Sequence, residues 1–169
     1  FTEGLAVHEE TAVSPEWGDR LTPEGIGAIR EKKLLPIATL DRGFIRPSYP
    51  EQVIVSYFEA GRICDYITER WGWPKLLEMM KAYSRVTTTA EVVETVLGLK
   101  PAEFDTQFLT WLQAQHKTPL ERFEAWSKAI KPLNDARKAN RWEEVLREGP
   151  RLRDDYAEYV EAGSAYEAL

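Results

Sequence analysis

The sequence predicts an all-α chain, and three observations carry that expectation. Apolar residues recur with helical period along most of the 169 residues, and no stretch sustains the strict alternation of a half-buried strand. Four sites also pair a hydroxyl with a Glu three residues later, the arrangement that satisfies exposed N–H groups in a first helical turn. They are Ser48–Glu51, Thr88–Glu91, Thr118–Glu121 and Ser164–Glu167, two of them with Pro near the first helical position.

Taken in order, residues 1–12 read as a first helix. The stretch Ser14–Pro47 contains Pro15, Pro23, Pro36, Pro47 and four glycines, so short helices and turns are expected there. From Glu51 to Trp71, Val53, Ile54, Tyr57, Phe58, Cys64, Ile67 and Trp71 fall on one broad face. This is the longest central helix, and Gly61 lets a neighbouring helix approach it closely. Further helices are expected at about 74–83 and 101–115, the second presenting Phe104, Phe108, Trp111 and Leu112 on one side. After His116, Leu120, Phe123, Trp126, Ile130 and Leu133 make another face; Arg137–Asn140 then leads to Trp142, Val145 and Leu146. The domain boundary is placed near Lys117, dividing 1–116 from 117–169.

Composition excludes several classes. A formal charge of −6 and a pI near 5.1 give phosphate backbones no attraction, so nucleic acid is not an expected partner. Cys64 is the single cysteine, which rules out an intrachain disulfide and multi-cysteine zinc sites. It reads as a small buried hydrophobe. No apolar run reaches bilayer-spanning length. The start at Phe1-Thr2-Glu3 suggests a chain cut from a longer one, with any targeting signal upstream and the compartment open.

The segment Phe1-Thr2-Glu3-Gly4-Leu5-Ala6-Val7 resembles the third-ligand helix of gluzincins, the peptidase MA-like clan of zinc metallopeptidases. There an E-G-x-A motif follows an H-E-x-x-H helix. The resemblance implies that Glu3 is a zinc ligand, completing with two upstream histidines a site that keeps a position open for water. It also implies that Gly4 and Ala6 let this helix pack close to the H-E-x-x-H helix. Ser56–Gly61, Glu69–Gly72 and Leu97–Phe104 look like the helical subdomain that follows, so the likeness covers residues 1–115. By the same resemblance Tyr57 is the candidate donor to the oxyanion of a tetrahedral intermediate. Tyr49 is its nearby competitor, and a core aromatic is the plain structural reading of Tyr57.

This chain departs from the family where the metal is held: it has no H-E-x-x-H, and its histidines are His8 and His116. His8, with Glu9 and Glu10, reads as a solvated helix face. Glu148, Arg151, Arg153, Asp154 and Asp155 read as surface charge. From Leu120 onward the chain resembles a tetratricopeptide (TPR) unit that turns at Asn140-Arg141-Trp142, with a next helix starting at Ser164.

The expected architecture is therefore an irregular gluzincin-type helical subdomain followed by a truncated TPR-like hairpin. The parent would hydrolyse peptide bonds with zinc, while the 169 residues alone would neither bind zinc nor cleave. The TPR-like part would take a protein partner. Two alternatives stand beside it: a non-catalytic helical scaffold, and a plain helical-repeat adaptor. On the leading reading residues 1–12 lack their natural partner and pack poorly, and Tyr166 and Leu169 lie on an uncovered apolar face.

Overall fold

The structure is a computed structural model that describes residues 1–14, 17, 20–85 and 88–169; Pro15 and Gly18 of the turn-rich stretch lie outside them. It is all-helical, with ten α-helices, one 3₁₀ turn and no strand among the described residues. No helix among them is long and apolar enough to cross a membrane. The chain forms two compact units, residues 1–19 with 27–115 and residues 20–26 with 116–169. Helix α2 (Pro23–Arg30) gives its first half to one and its second half to the other.

The first unit is organised around a helix of 20 residues, here α4 (Gln52–Trp71). Before it come α1 (Thr2–Val13), the 3₁₀ turn Ile37–Thr39 and α3 (Asp41–Ile45). After it come α5 (Trp73–Tyr83), α6 (Thr89–Leu97) and α7 (Pro101–Gln115). Helices α1, α3, α5 and α7 all pack on α4. Gly72 ends α4 at φ 86°, where its N–H caps the Thr68 carbonyl, and Pro74 opens the next helix at once. The expected capping box forms at Thr88 and Glu91. The one expected at Ser48 and Glu51 does not: the N–H of Ser48 donates to the buried side chain of Gln52 instead. That amide replaces the Glu because it reaches back from inside the first turn.

Helix α1 was expected to lack a partner, yet it docks along α4. Gly4 lies so close to Ala60 that an added Cβ would strike the Ala60 carbonyl, and a Cβ on Gly61 would come within 2.6 Å of Val7 Cγ1. The two glycines thus let the backbones approach from both sides. Gly4 therefore faces α4, where the gluzincin likeness implied a helix from outside this chain. Only one stripe of α1 is covered; Glu3, Ala6, Glu10 and Val13 remain exposed. On the other side of α4, Tyr66 packs against Trp71, Phe104, Phe108 and Trp111 with ring centroids 5.3–5.9 Å apart.

The second unit contains α8 (Lys117–Lys138), α9 (Trp142–Asp155) and α10 (Ala165–Ala168). Asn140 adopts φ 58° in the turn between α8 and α9, a conformation that Asn tolerates better than most residues. Ser164 caps α10 through the Glu167 N–H. Thr118 does not cap α8, because the helix already begins at Lys117. Trp126, Tyr156 and Tyr159 cluster edge-on or stacked, and the Tyr156 hydroxyl donates to the Leu21 carbonyl at 2.5 Å. That bond ties residues 20–26 into this unit.

Two sequence expectations are corrected here. Of the apolar residues opening α9, Val145 is buried, but Trp142 and Leu146 are 53% and 66% exposed. Helix α9 meets α8 and α10 on one side, and these two side chains lie off that side. Asp155 is no surface charge: it is 4% exposed, with Arg122 Nη1 at 2.5 Å and Arg151 Nη1 at 2.8 Å. Two guanidinium groups offset the cost of burying the carboxylate.

Gly4→Ala should lower stability despite Ala's better helix propensity. Separating the helices costs about 1–3 kcal/mol, whereas propensity returns at most about 1 kcal/mol. Gly27 of α2 has open space where a Cβ would go, so Gly27→Ala should stabilise by about 0.5–1 kcal/mol. Urea denaturation of both variants checks the pair. Equal shifts of the same sign would contradict the close packing of α1 on α4.

Candidate functional site

Helices α1, α3, α4 and α5, together with the 3₁₀ turn, line an open-sided apolar cleft of about 250 Å³. Its walls include Ile37, Leu40, Phe44, Ile63, Met79 and Tyr83, and the carboxylates Glu3 and Asp41 also line it. Glu3 reaches it from the first turn of α1, whose covered stripe is turned to α4; the Glu3 side chain itself is exposed. Cys64 also lines the cleft while only 1% exposed, and burial pushes its thiol up to about 12. It is therefore a neutral wall residue, in keeping with the sequence reading.

Tyr57 is half-buried, and its ring meets the Phe44 ring edge-on at 4.9 Å, 89° between planes. Phe44 is part of the cleft wall, so both site residues named from the sequence belong to this region: Glu3 lines the cleft and Tyr57 supports its wall. The competitor Tyr49 lies in another setting. Its hydroxyl is buried without a hydrogen-bond partner among the described residues, Lys33 Nζ stands 5.5 Å from its ring centroid, and burial raises its phenol above the ordinary value.

His8 corrects the sequence reading of a solvated face. Its Nδ1 lies 2.5 Å from Asp65 Oδ1, its Nε2 3.5 Å from Thr68 Oγ1, and its ring stacks on Trp73 at 5.7 Å. Asp65 is also 3.0 Å from Arg62 Nε, close enough for ion pairing although Arg62 Nε lacks good hydrogen-bond alignment. His8 thus helps dock α1, with both ring nitrogens turned toward α4. His116 is buried, with Nδ1 3.0 Å from Glu158 Oε1 in the second unit. Among the described residues no group of three His, Cys, Asp or Glu side chains could hold a metal ion.

Sequence reasoning missed Glu59. It is 2% exposed on α4 and accepts the Leu35 N–H at 3.1 Å; burial, reinforced by Asp105, pushes its carboxyl up to about 8. One turn earlier, Ser56 Oγ is buried without a hydrogen-bond partner among the described residues. The available signal was positional: Glu59 sits between Phe58 and Ala60 on a helix that is apolar on more than one side.

Comparison with family models, curated proteins and solved structures finds no match to this chain.

His8→Ala should weaken the docking of α1, since it removes a hydrogen bond to a carboxylate and a stacked ring. The expected loss is about 1–3 kcal/mol, measured by thermal or urea unfolding. Unchanged stability would mean that His8 contributes nothing to the α1–α4 contact.

Proposed function

We propose that this chain is the C-terminal helical part of a gluzincin-type zinc-dependent peptidase, followed by a TPR-like surface for protein partners. The observation that carries this reading is the setting of Glu3. It is an exposed carboxylate in the first turn of a helix firmly docked on its opposite side, at an apolar cleft able to receive a side chain of a peptide substrate. A docked helix fixes the direction of a carboxylate, as a metal ligand requires.

The chain's own residues do not make a zinc site. Glu3 is one donor, His8 is engaged with Asp65, and no group of three suitable side chains exists among the described residues. The reading needs two histidines from beyond Phe1, and no catalytic step is assigned to these residues alone. Tyr57 is the proposed donor to a developing oxyanion on the strength of the resemblance; in this structure its ring packs edge-on against Phe44 of the cleft wall.

A second reading is a non-catalytic helical scaffold. The exposed Trp142 and Leu146 of α9, with Tyr166 and Leu169 at 42% and 47% exposure, support a protein-binding role for the second unit. The sequence preceding Phe1 discriminates: two histidines in H-E-x-x-H spacing favour the peptidase, and loss of either favours the scaffold.

In a longer protein carrying those histidines, Glu3→Ala should remove zinc and peptidase activity together, read by elemental analysis and peptide turnover. Tyr57→Phe should keep the metal and the fold while turnover falls on the order of 10²–10³-fold. Retention of zinc and activity by Glu3→Ala would end the gluzincin reading. Full turnover by Tyr57→Phe would return that ring to a packing role.

A further inference from the structure

Two backbone N–H groups of the segment joining α2 to the 3₁₀ turn are held by carboxylates from different helices. Leu35 N–H donates to Glu59 Oε2 of α4 at 3.1 Å, and Ile37 N–H donates to Asp105 Oδ1 of α7 at 2.9 Å. Pro36 between them has no N–H to offer. The strap continues into Ile37, Leu40 and Asp41, which line the apolar cleft. Its position therefore sets one wall of that cleft.

Glu59 is buried at 2% exposure, and the Leu35 N–H is its hydrogen-bond partner among the described residues. The charged and titratable groups around it offer no compensation. From α7 it faces Asp105, another acid; from the loop before α4 it faces Tyr49, whose phenol its charge disfavours. Lys33 lies over the Tyr49 ring and pairs with Glu31 at 2.5 Å. An ionised Glu59 would be a buried charge with one N–H donor and, among the described residues, no paired cation, which is strongly unfavourable. Opening the strap would let water reach it.

We propose that Glu59, seconded by Asp105, is a proton-controlled latch on the Leu35–Thr39 strap, closed while Glu59 is protonated and released when it ionises, shifting the cleft wall formed by Ile37 and Leu40. The latch is independent of the peptidase reading, since neither Glu3, Tyr57 nor a metal takes part in it. Burial raises both carboxyls above their ordinary values, Glu59 from 4.5 to about 8. With the strap open, Glu59 meets water and ionises near its ordinary value. The closed form thus holds the extra proton across the interval, and closure weakens as pH rises from 4.5 to about 8, levelling off above.

The test is amide hydrogen exchange of Leu35 and Ile37 in the 169-residue chain, corrected for the intrinsic pH dependence of exchange. Protection should fall by up to about tenfold per pH unit up to pH 8, while core amides of α4 hold. In Glu59→Gln, which keeps an acceptor and cannot ionise, the fall at Leu35 up to pH 8 should be lost, leaving only the contribution of Asp105 through Ile37. Uptake of the apolar dye anilinonaphthalene sulfonate should rise over the same window in the wild type alone. Strap protection flat with pH in the wild type, or falling equally in Glu59→Gln, overturns the latch; dye uptake that ignores strap release severs it from the cleft. Should Glu59→Gln fail to fold, the ¹³C titration of the Glu59 carboxyl in the wild type decides: a midpoint near 8 supports the latch, and one near 4.5 refutes it.

Discussion

The first unit depends on the close approach of α1 to α4. Helix α1 has no broad apolar stripe of bulky side chains; its buried residues are Gly4 and Val7. Its docking is made by shape, with Gly4 set against the Ala60 carbonyl and Gly61 receiving Val7. Close backbone contact brings many small dispersion attractions into play where large side chains are lacking. The His8–Asp65 contact then fixes the register. Because α3, α5 and α7 also pack on α4, the position of α1 determines where Glu3 stands relative to the cleft.

Buried and partly buried acids are handled in three ways among the described residues. Asp155 is compensated by two arginines, one from its own helix and one from α8. Asp65 shares His8 and Arg62 at partial exposure. Glu59 has an N–H donor and, among the described residues, no paired cation, so its cheapest state in the closed fold is the neutral acid. The same side-chain chemistry yields a structural ion pair in one place and a titratable hold on a backbone strap in another. What differs is the number of cations that the fold brings within reach.

The strap supplies one wall of the cleft through Ile37. The walls of the cleft come from elements far apart in the sequence, Phe1 to Thr89, and the strap is held through two side-chain hydrogen bonds. The second unit offers a different surface, with large apolar side chains left open on α9 and α10.

The sequence by itself determined the helical class, the span of α4 to within a residue, the capping box at Thr88, the cap at Ser164 and the burial of Cys64. These follow from local rules, namely period, cap chemistry and Gly or Pro punctuation, which operate within a few residues. Glu3 and Tyr57 were named from a resemblance; the fold places Glu3 at the cleft and Tyr57 against Phe44 of its wall. Tertiary structure alone decided that Gly4 faces Ala60, that His8 turns inward to Asp65, that Asp155 is buried, and that Glu59 holds Leu35 across 24 residues. Periodicity says which side of a helix is apolar, but it carries no information on which distant segment will cover that side. The partner of a polar residue is likewise set by packing, since a His, Asp or Glu at the edge of an apolar stripe serves equally well facing water or facing a matching group.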